Sequence, residues 1–589
     1  MFLSRRQFLK VSAGTVAAVA VADKVLALTA LQPVIEVGNP LGDYPDRSWE
    51  RVYHDQYRYD SSFTWCCSPN DTHACRIRAF VRNGVVMRVE QNYDHQTYED
   101  LYGNRGTFAH NPRMCLKGFT FHRRVYGPYR LKGPLMRKGW KAWMDDGSPE
   151  LTPDTKRKYK FDSRFLDDML RVSWDTAFTY AAKAYVTIAT RYSGEAGARR
   201  LREQGYAPEM IEMMKGAGTR CFKHRAGMPV LGILGKMGNT RMNGGINALL
   251  DTWIRKVSPE QAQGGRYWSN YTWHGDQNPA HPWWCGAQGS DIDLSDMRFS
   301  KLNTSWGKNF VENKMPEAHW KLECIERGAR VVVITPEYNP TAYRADYWMP
   351  LRPESDGALF LGAMKIIVDE NMHDIDFLKS FTDAPILVRT DTLQYLDPRD
   401  VVKDYAFPDF SKSYSGRMQS LKPEQIERLG GMMVWDLNKK QAVPLHREQV
   451  GWHYTNSGID AALSGTFRVN LLNGREVDVM PVWQMYLVHF QDYDLDTVHQ
   501  ICRTPKDLIV RWARDCGTIK PAAIHNGEGT CHYFHQTSNA RGAAMVLIIT
   551  GNVGKFGTGQ HTWSGNYKAG TWTATPWSGA GLAVHTGED

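Results

Sequence analysis

Cys67, Asp71, Cys75 and Cys115 follow the pattern Cys-x3-Asp-x3-Cys-x39-Cys. Close ligands on one turn plus one distant ligand are a normal way to reach the corners of a [4Fe–4S] cubane. Three corners fall to thiolates. The fourth is assigned to Asp71, a harder ligand than thiolate that would retune the cluster potential. Cys66 and His73 compete for that corner, and a three-ligand site or plain core thiols are the remaining readings. The chain has ten cysteines, and an even count would first suggest disulfides. Their distribution argues for metal ligation instead, because four crowd between Cys66 and Cys115 while Cys221, Cys285, Cys324, Cys502, Cys516 and Cys531 are scattered. No Cys-x-x-Cys-His occurs, so covalent haem has no support.

A second candidate is Asp276, the one carboxylate in the aromatic turn Tyr271-Thr272-Trp273-His274-Gly275-Asp276-Gln277-Asn278-Pro279. Taken alone, an Asp in a Gly- and Pro-containing turn is an ordinary turn residue. Glycine-rich and helix-opening loops make up a third group. Trp306-Gly307-Lys308-Asn309, Thr335-Pro336-Glu337 and Pro353-Glu354-Ser355-Asp356 lie at strand ends or a helix start, where backbone N–H groups favour anions or a capping carboxylate. Asn526-Gly527-Glu528-Gly529 and the run Gly551-Asn552-Val553-Gly554-Lys555-Phe556-Gly557-Thr558-Gly559 are a possible second cradle, or simple loops.

Read together, these motifs resemble the dimethyl sulfoxide reductase family of molybdopterin enzymes. The resemblance is carried by Cys75-Arg76-Ile77-Arg78, Arg82-Asn83-Gly84, Asn111-Pro112-Arg113-Met114-Cys115-Leu116-Lys117-Gly118 and Arg130-Leu131-Lys132-Gly133-Pro134, and it covers nearly all of residues 60 to 566. It implies molybdenum bis(molybdopterin guanine dinucleotide) and one [4Fe–4S] cluster, with Lys117 between cluster and pterin. In the Asp-ligated nitrate reductase branch, Asp276 falls on the molybdenum ligand. His274 could reach a bound oxyanion, and Asn70 maps near the metal. That branch begins its cluster motif His-x3-Cys-x3-Cys, so Cys67 replaces the His and Asp71 a Cys. The resemblance implies one dinucleotide on Trp306, Gly307, Asn309, Thr335, Pro336 and Asp356. The other would lie on Gly527, Gly551, Asn552, Gly557 and Gly559. Within the branch, Trp268 to Gln277, Gly307 to Pro316 and Trp563 to Lys568 are most similar to the nitrite-oxidising members. The implied reaction turns nitrite and water into nitrate, two electrons and two protons. The electrons would leave through the cluster to an iron–sulfur beta subunit and a haem-type gamma subunit. A nitrate, chlorate or selenate reductase is the alternative, and a truncated, non-catalytic partner-binding remnant is a reading of another class.

The elements that must position these residues are legible as periodicity. Short β-like runs, Ile77 to Val81 and Val85 to Val89, lie among the clustered cysteines. Trp174 to Tyr192 has helical apolar spacing, and Ser193 to Gly264 reads as helical. Leu302 to Trp306 and Arg330 to Thr335 read as strands, with helices at Pro316 to Arg327 and Asp356 to Asp369. Near the end come a helix at Thr504 to Asp515, a strand at Pro521 to His525 and a helix at Asn539 to Ile549. Strands alternating with helices argue for parallel sheets. The expected fold is therefore α/β, a dimethyl sulfoxide reductase-like arrangement of a small N-terminal iron–sulfur domain and two parallel-sheet dinucleotide-binding domains. The family's C-terminal barrel domain is expected to be missing. Expected boundaries are a signal at 1–30, the cluster domain at 45–140, a first α/β domain at 141–290 to which 480–589 returns, and a second at 291–480.

The N-terminus bears on destination. Ser4-Arg5-Arg6-Gln7-Phe8-Leu9-Lys10 precedes a small apolar run from Val11 to Ala22, a match to a twin-arginine export signal. That run is too short for a bilayer core of about 30 Å. A periplasmic protein without a membrane span is expected, with any membrane association through partners. A net charge of +9 over 589 residues, with no long Lys/Arg run, gives nucleic-acid binding no support.

Overall fold

The computed structural model describes residues 50, 54–55, 57–67, 75–92, 113–226, 241–269, 294–407, 409, 421–429, 431–446, 449–531 and 533–561. These fall into two compact units. The smaller is drawn from Met1–Cys66, Arg76–His95 and Met114–Arg130, the larger from Cys67–Cys75, Gln96–Arg113 and Leu131–Asp589.

The smaller unit is built on a three-stranded sheet in the order β1 (Ser61–Cys67), β2 (Cys75–Arg82), β3 (Val85–Gln91). β2 and β3 form an antiparallel hairpin closed by Asn83 and Gly84, both at positive φ (50° and 75°). That conformation is the one a two-residue hairpin turn demands and Asn-Gly supplies. β2 buries Ile77, Ala79 and Phe80, and the Arg88 guanidinium lies 3.7 Å from the centroid of the Phe80 ring. The short helix α1 (Leu116–Phe119) follows Cys115 and carries Lys117 exposed.

In the larger unit, α2 (Trp174–Arg191) starts where the Ser173 hydroxyl accepts the Thr176 N–H at 3.1 Å, an N-cap that satisfies a helix-end donor. The centre is a five-stranded, all-parallel sheet. Its strands are β4 (Leu302–Trp306), β5 (Arg330–Thr335), β6 (Tyr347–Pro350), β7 (Ala522–Asn526) and β8 (Gly559–His561), in the spatial order β6-β5-β4-β7-β8. Every residue of β4 and β7 is buried, as expected of parallel strands covered on both faces. Leu302, Trp306, Val332, Ile334 and Ile524 face a large apolar core shared with α4 (Asp356–Asp369), α5 (Lys506–Thr518) and α6 (Gln536–Ile549). The opposite face is covered by α3 (Ala318–Glu326), whose Lys321 reaches Asn303 and Ser305 on β4.

Most elements read from periodicity are present with ends shifted by a few residues, the ordinary uncertainty of helix termini, but the stretch Ser193 to Gly264, read as helical, also holds the strand Lys223–Ala226, which pairs in parallel with Arg266–Ser269. Domain assignment needs a correction. Among the described residues, the strands of the 480–589 segment do not return to 141–290. β7 pairs in parallel with β4, from Ala522 beside Leu302 to Asn526 beside Trp306. Periodicity identifies a strand but carries no information about which neighbour it pairs with. Residues 387–480, hard to read from sequence, hold short antiparallel pairs. Glu476–Pro481 runs between Leu387–Arg389 and Phe467–Asn470, and Met432–Asp436 pairs with Gln441–Leu445.

Candidate functional site at the switch point of the parallel sheet

The chain lays down β4, β5 and β6 outward in one direction, then β7 and β8 in the other. The reversal lies between β4 and β7. Chain segments leaving these two strands part to opposite faces of the sheet and open a crevice beyond the strand ends, the usual ligand position in such folds. Two of the sequence motifs meet there. Gly527 N–H donates to the Trp306 carbonyl at 2.9 Å, and Gly307 N–H donates to that of Ile334 at 2.9 Å. A Cβ on Gly527 would fall 2.3 Å from the Gly307 carbonyl oxygen, and one on Gly307 (φ 58°) would fall 2.4 Å from Thr530 Cγ2. The two loops therefore touch backbone to backbone. Gly527, expected in a second cradle, lies against the Trp306–Gly307 loop instead.

The wall of this crevice is polar and satisfied in most places. The buried Trp306 indole donates to Asp356 Oδ1 at 2.6 Å, and the Asn539 amide oxygen accepts the Gly357 N–H at 2.9 Å. Burial raises the Asp356 carboxyl above its ordinary range, and the Trp306 hydrogen bond opposes that rise. Thr335 donates to the Glu337 carbonyl at 2.6 Å and accepts from the Trp348 indole at 3.1 Å, beside the exposed Pro336. The Asn309 amide bonds Thr341 and Glu312. Asn526 differs from these. It ends β7 fully buried, and neither its amide oxygen nor its nitrogen has a hydrogen-bond partner among the described residues. A buried unmet amide is costly, and one at the mouth of a switch-point crevice fits a polar ligand.

The glycine run is not at this crevice. The Asn552 side chain accepts the N–H of Ala522, the first residue of β7, at 2.9 Å, and Gly559 opens β8. Gly557 accepts the Ser300 hydroxyl at 2.7 Å, just before β4 begins. Gly551, Asn552, Gly557 and Gly559 thus lie at the opposite, N-terminal edge of the sheet. Packing accounts for two of these glycines: a Cβ on Gly551 would meet Asp374 at 2.3 Å, and one on Gly557 the Phe299 backbone at 2.6 Å.

A polar group that sequence reading missed sits under α3. Lys321 Nζ donates to Asn303 Oδ1 at 3.1 Å and to Ser305 Oγ at 2.6 Å, and Asn303 Nδ2 lies 3.0 Å from His525 Nε2. His525 stacks on His561 at 4.5 Å between ring centroids. Burial lowers Lys321 to about 8. Burial, then the neighbouring His561, Lys308 and Lys321, hold His525 well below its usual 6.5. The unfolded chain therefore takes up a proton near pH 6.5 that the folded chain refuses. Stability contributed by neutral His525 is complete above that pH and falls as pH drops below it, by up to about 1.4 kcal/mol per pH unit. Urea unfolding of wild type and His525→Asn between pH 7 and 5 should show a steeper acid loss in wild type. Equal slopes would mean that His525 is not held neutral.

Of the cluster residues, Cys67 ends β1 and Cys75 begins β2, both buried, while Cys115 is half-buried ahead of α1. Among the described residues, Cys115, Cys221, Cys324, Cys502 and Cys516 are free thiols. Asp71, Asn70, His274 and Asp276 lie outside the described residues. Among the described residues no three His, Cys, Asp or Glu side chains are placed to hold a metal ion.

Residues 130–575 match the sequence model of the molybdopterin oxidoreductases. The chain belongs to that family. Its membership brings the α/β fold with a parallel sheet described above, and the family implies a molybdenum bis(molybdopterin guanine dinucleotide) cofactor. The chain is similar to the alpha subunit of perchlorate reductase from Dechloromonas aromatica, 26% identical over 96% of this chain and 52% of that one. It is also similar to the alpha subunit of respiratory nitrate reductase from Haloferax mediterranei (27%; 94% and 48%) and to that of chlorate reductase from Ideonella dechloratans (24%; 95% and 50%). The chain thus spans about half the length of the curated relatives it matches.

Residues 3–22 match the twin-arginine signal, which indicates export to the periplasm. Among the described residues no helix is long and apolar enough to cross a membrane. Changing Arg5 and Arg6 to Lys should leave nearly all of the protein in the cytoplasm. Fractionation of that variant, and of wild type in cells lacking the twin-arginine translocase, tests this; periplasmic protein in either would overturn it.

Proposed function

We propose that the chain is the cofactor-binding part of a molybdenum oxidoreductase alpha subunit that oxidises nitrite to nitrate, releasing two electrons and two protons per nitrite. The buried, unmet Asn526 amide at the switch point carries the cofactor part of this reading, beside the Gly307 and Gly527 loops that pack closely against each other at the strand ends. The choice of nitrite rests on the segments Trp268 to Gln277, Gly307 to Pro316 and Trp563 to Lys568. When bound, the cofactor supplies two-electron oxygen-transfer chemistry. Asn526 would hold a polar group of one dinucleotide over the Trp306–Asn309 loop, and Asp356 fixes the buried Trp306 ring from which that loop leaves. Asp276 would ligate the metal, and His274 and Asn70 would hold the oxyanion beside it. Lys117 would lie between the metal cofactor and the cluster, and electrons would pass to an iron–sulfur beta subunit and a haem-type gamma subunit.

A reductase of nitrate, chlorate or perchlorate is the second reading, favoured by the names of the relatives above. Molybdenum, iron and guanine nucleotide are to be measured on the purified protein. Nitrite oxidation by an artificial acceptor is then compared with oxyanion reduction by a reduced dye. Metal-loaded protein active only as a reductase would sink the nitrite reading. Metal-free protein purified from cells that make the cofactor would sink the enzyme reading.

The cluster carries its own expectation. We propose Cys67, Asp71, Cys75 and Cys115 as ligands. Asp71→Cys should keep the iron content and lower the cluster potential, because thiolate stabilises the oxidised state more than carboxylate does. An unchanged spectrum in Asp71→Ala, together with cluster loss in Cys66→Ala, would transfer the fourth corner to Cys66.

A further inference from the structure

The group under α3 is more ordered than a set of buried polar side chains needs to be. An ammonium has three donors and no acceptor, so Lys321 Nζ must meet the oxygen of the Asn303 amide, as it does at 3.1 Å. That fixes which way the amide faces. Its nitrogen, which can only donate, then lies 3.0 Å from His525 Nε2, so Nε2 must accept. A neutral imidazole carries one proton, and with Nε2 accepting, that proton is on Nδ1. Nδ1 has no partner among the described residues, although His525 is fully buried. A buried N–H without an acceptor is destabilising.

The surroundings indicate which acceptor is suited to it. The Phe310 ring is flanked by Lys308 at 5.0 Å and Lys321 at 5.7 Å, and the His525 ring centroid lies 6.0 Å from its own. No carboxylate among the described residues hydrogen-bonds Lys321 or His525. His525 directly precedes Asn526 at the end of β7, next to the Gly527 loop. The local potential is positive and the free valence is a donor, a combination suited to an anionic oxygen.

We infer that Lys321 is a positioning residue which, through Asn303, locks His525 in its Nδ1–H form, and that this N–H donates to a phosphate oxygen of the ligand at the switch point. The inference rests on the dinucleotide reading of the crevice. The relay also explains a lysine in a fully buried position whose hydrogen-bond partners among the described residues are an amide and a hydroxyl and no carboxylate: its task is to orient that amide.

Two measurements on the full chain test it. Multiple-bond proton–nitrogen NMR on histidine-labelled protein reads the tautomer, with His525→Asn assigning the signal. Wild type should show Nδ1–H, and Lys321→Met, of similar length, should show a mixture. Nε2–H in wild type, or an unchanged tautomer in Lys321→Met, overturns the relay. Calorimetric binding of inorganic pyrophosphate reads the donor. His525→Leu should weaken binding roughly tenfold or more. His525→Asn, whose amide nitrogen can sit where Nδ1 sits, should retain most of it. Equal loss in the Asn and Leu variants, or binding indifferent to both, overturns the donor role alone. No binding by wild type with the tautomer locked overturns the dinucleotide reading while the relay stands.

Discussion

Gly527→Ala should destabilise the protein by about 3 kcal/mol or more and empty the switch point of its ligand. The added methyl would lie 2.3 Å from the Gly307 carbonyl oxygen and 2.9 Å from Lys308 Cα. Both are backbone atoms with no rotamer to yield, so relief requires the Trp306–Asn309 and Asn526–Gly529 loops to part. Overpacking commonly costs about 1–3 kcal/mol, and the top of that range belongs to sites whose neighbours cannot move. Gly328→Ala is the comparison. Its φ of 82° is left-handed, which that of Gly527 is not, but a Cβ there meets nothing within 4 Å. It should cost only the conformational strain, about 1–2 kcal/mol. Thermal unfolding with molybdenum and guanine analysis separates the two. If Gly527→Ala keeps both its metal and its melting temperature, the loops are not held together as described.

Asp276→Ala should leave fold and iron content intact while turnover falls by more than the roughly 10–100-fold typical of a residue that only supports a metal ligand. An exposed turn Asp would instead cost within about 0.5 kcal/mol of stability and no activity. His274→Ala should raise the oxyanion KM with a smaller effect on the molybdenum spectrum, because it is proposed to meet the anion and not the metal. A normal molybdenum spectrum and normal turnover in Asp276→Ala would show that the metal takes no ligand from this turn.

The strands and helices around the site were legible because burial imposes a period. The buried run Val331–Thr335 and the helical spacing of Trp174–Arg191 announce themselves by spacing alone. The relay was not. Yet β4 reads Leu-Asn-Thr-Ser-Trp and β7 Ala-Ala-Ile-His-Asn, polar residues in strands buried at every position. Central parallel strands are usually continuous apolar runs. Polar residues in such a strand must be hydrogen-bonded, so a network could have been expected, though not its partner Lys321, which stands some fifteen residues away on a different element.

By itself the sequence determined what is written in local chemistry: the twin-arginine signal, the cysteine spacing, the order of strands and helices, and motifs dense enough to point to a family. Tertiary structure decided which of those motifs meet. The Gly307 and Gly527 loops are more than two hundred residues apart in the chain and in contact in space, while the glycine run that follows Gly527 closely lies at the other end of the sheet. The physical reason is strand pairing. A glycine loop has the same composition whether it precedes or follows a strand in the sheet. Only the order β6-β5-β4-β7-β8, set by long-range pairing of backbone with backbone, places one loop at the crevice and the other beneath the sheet.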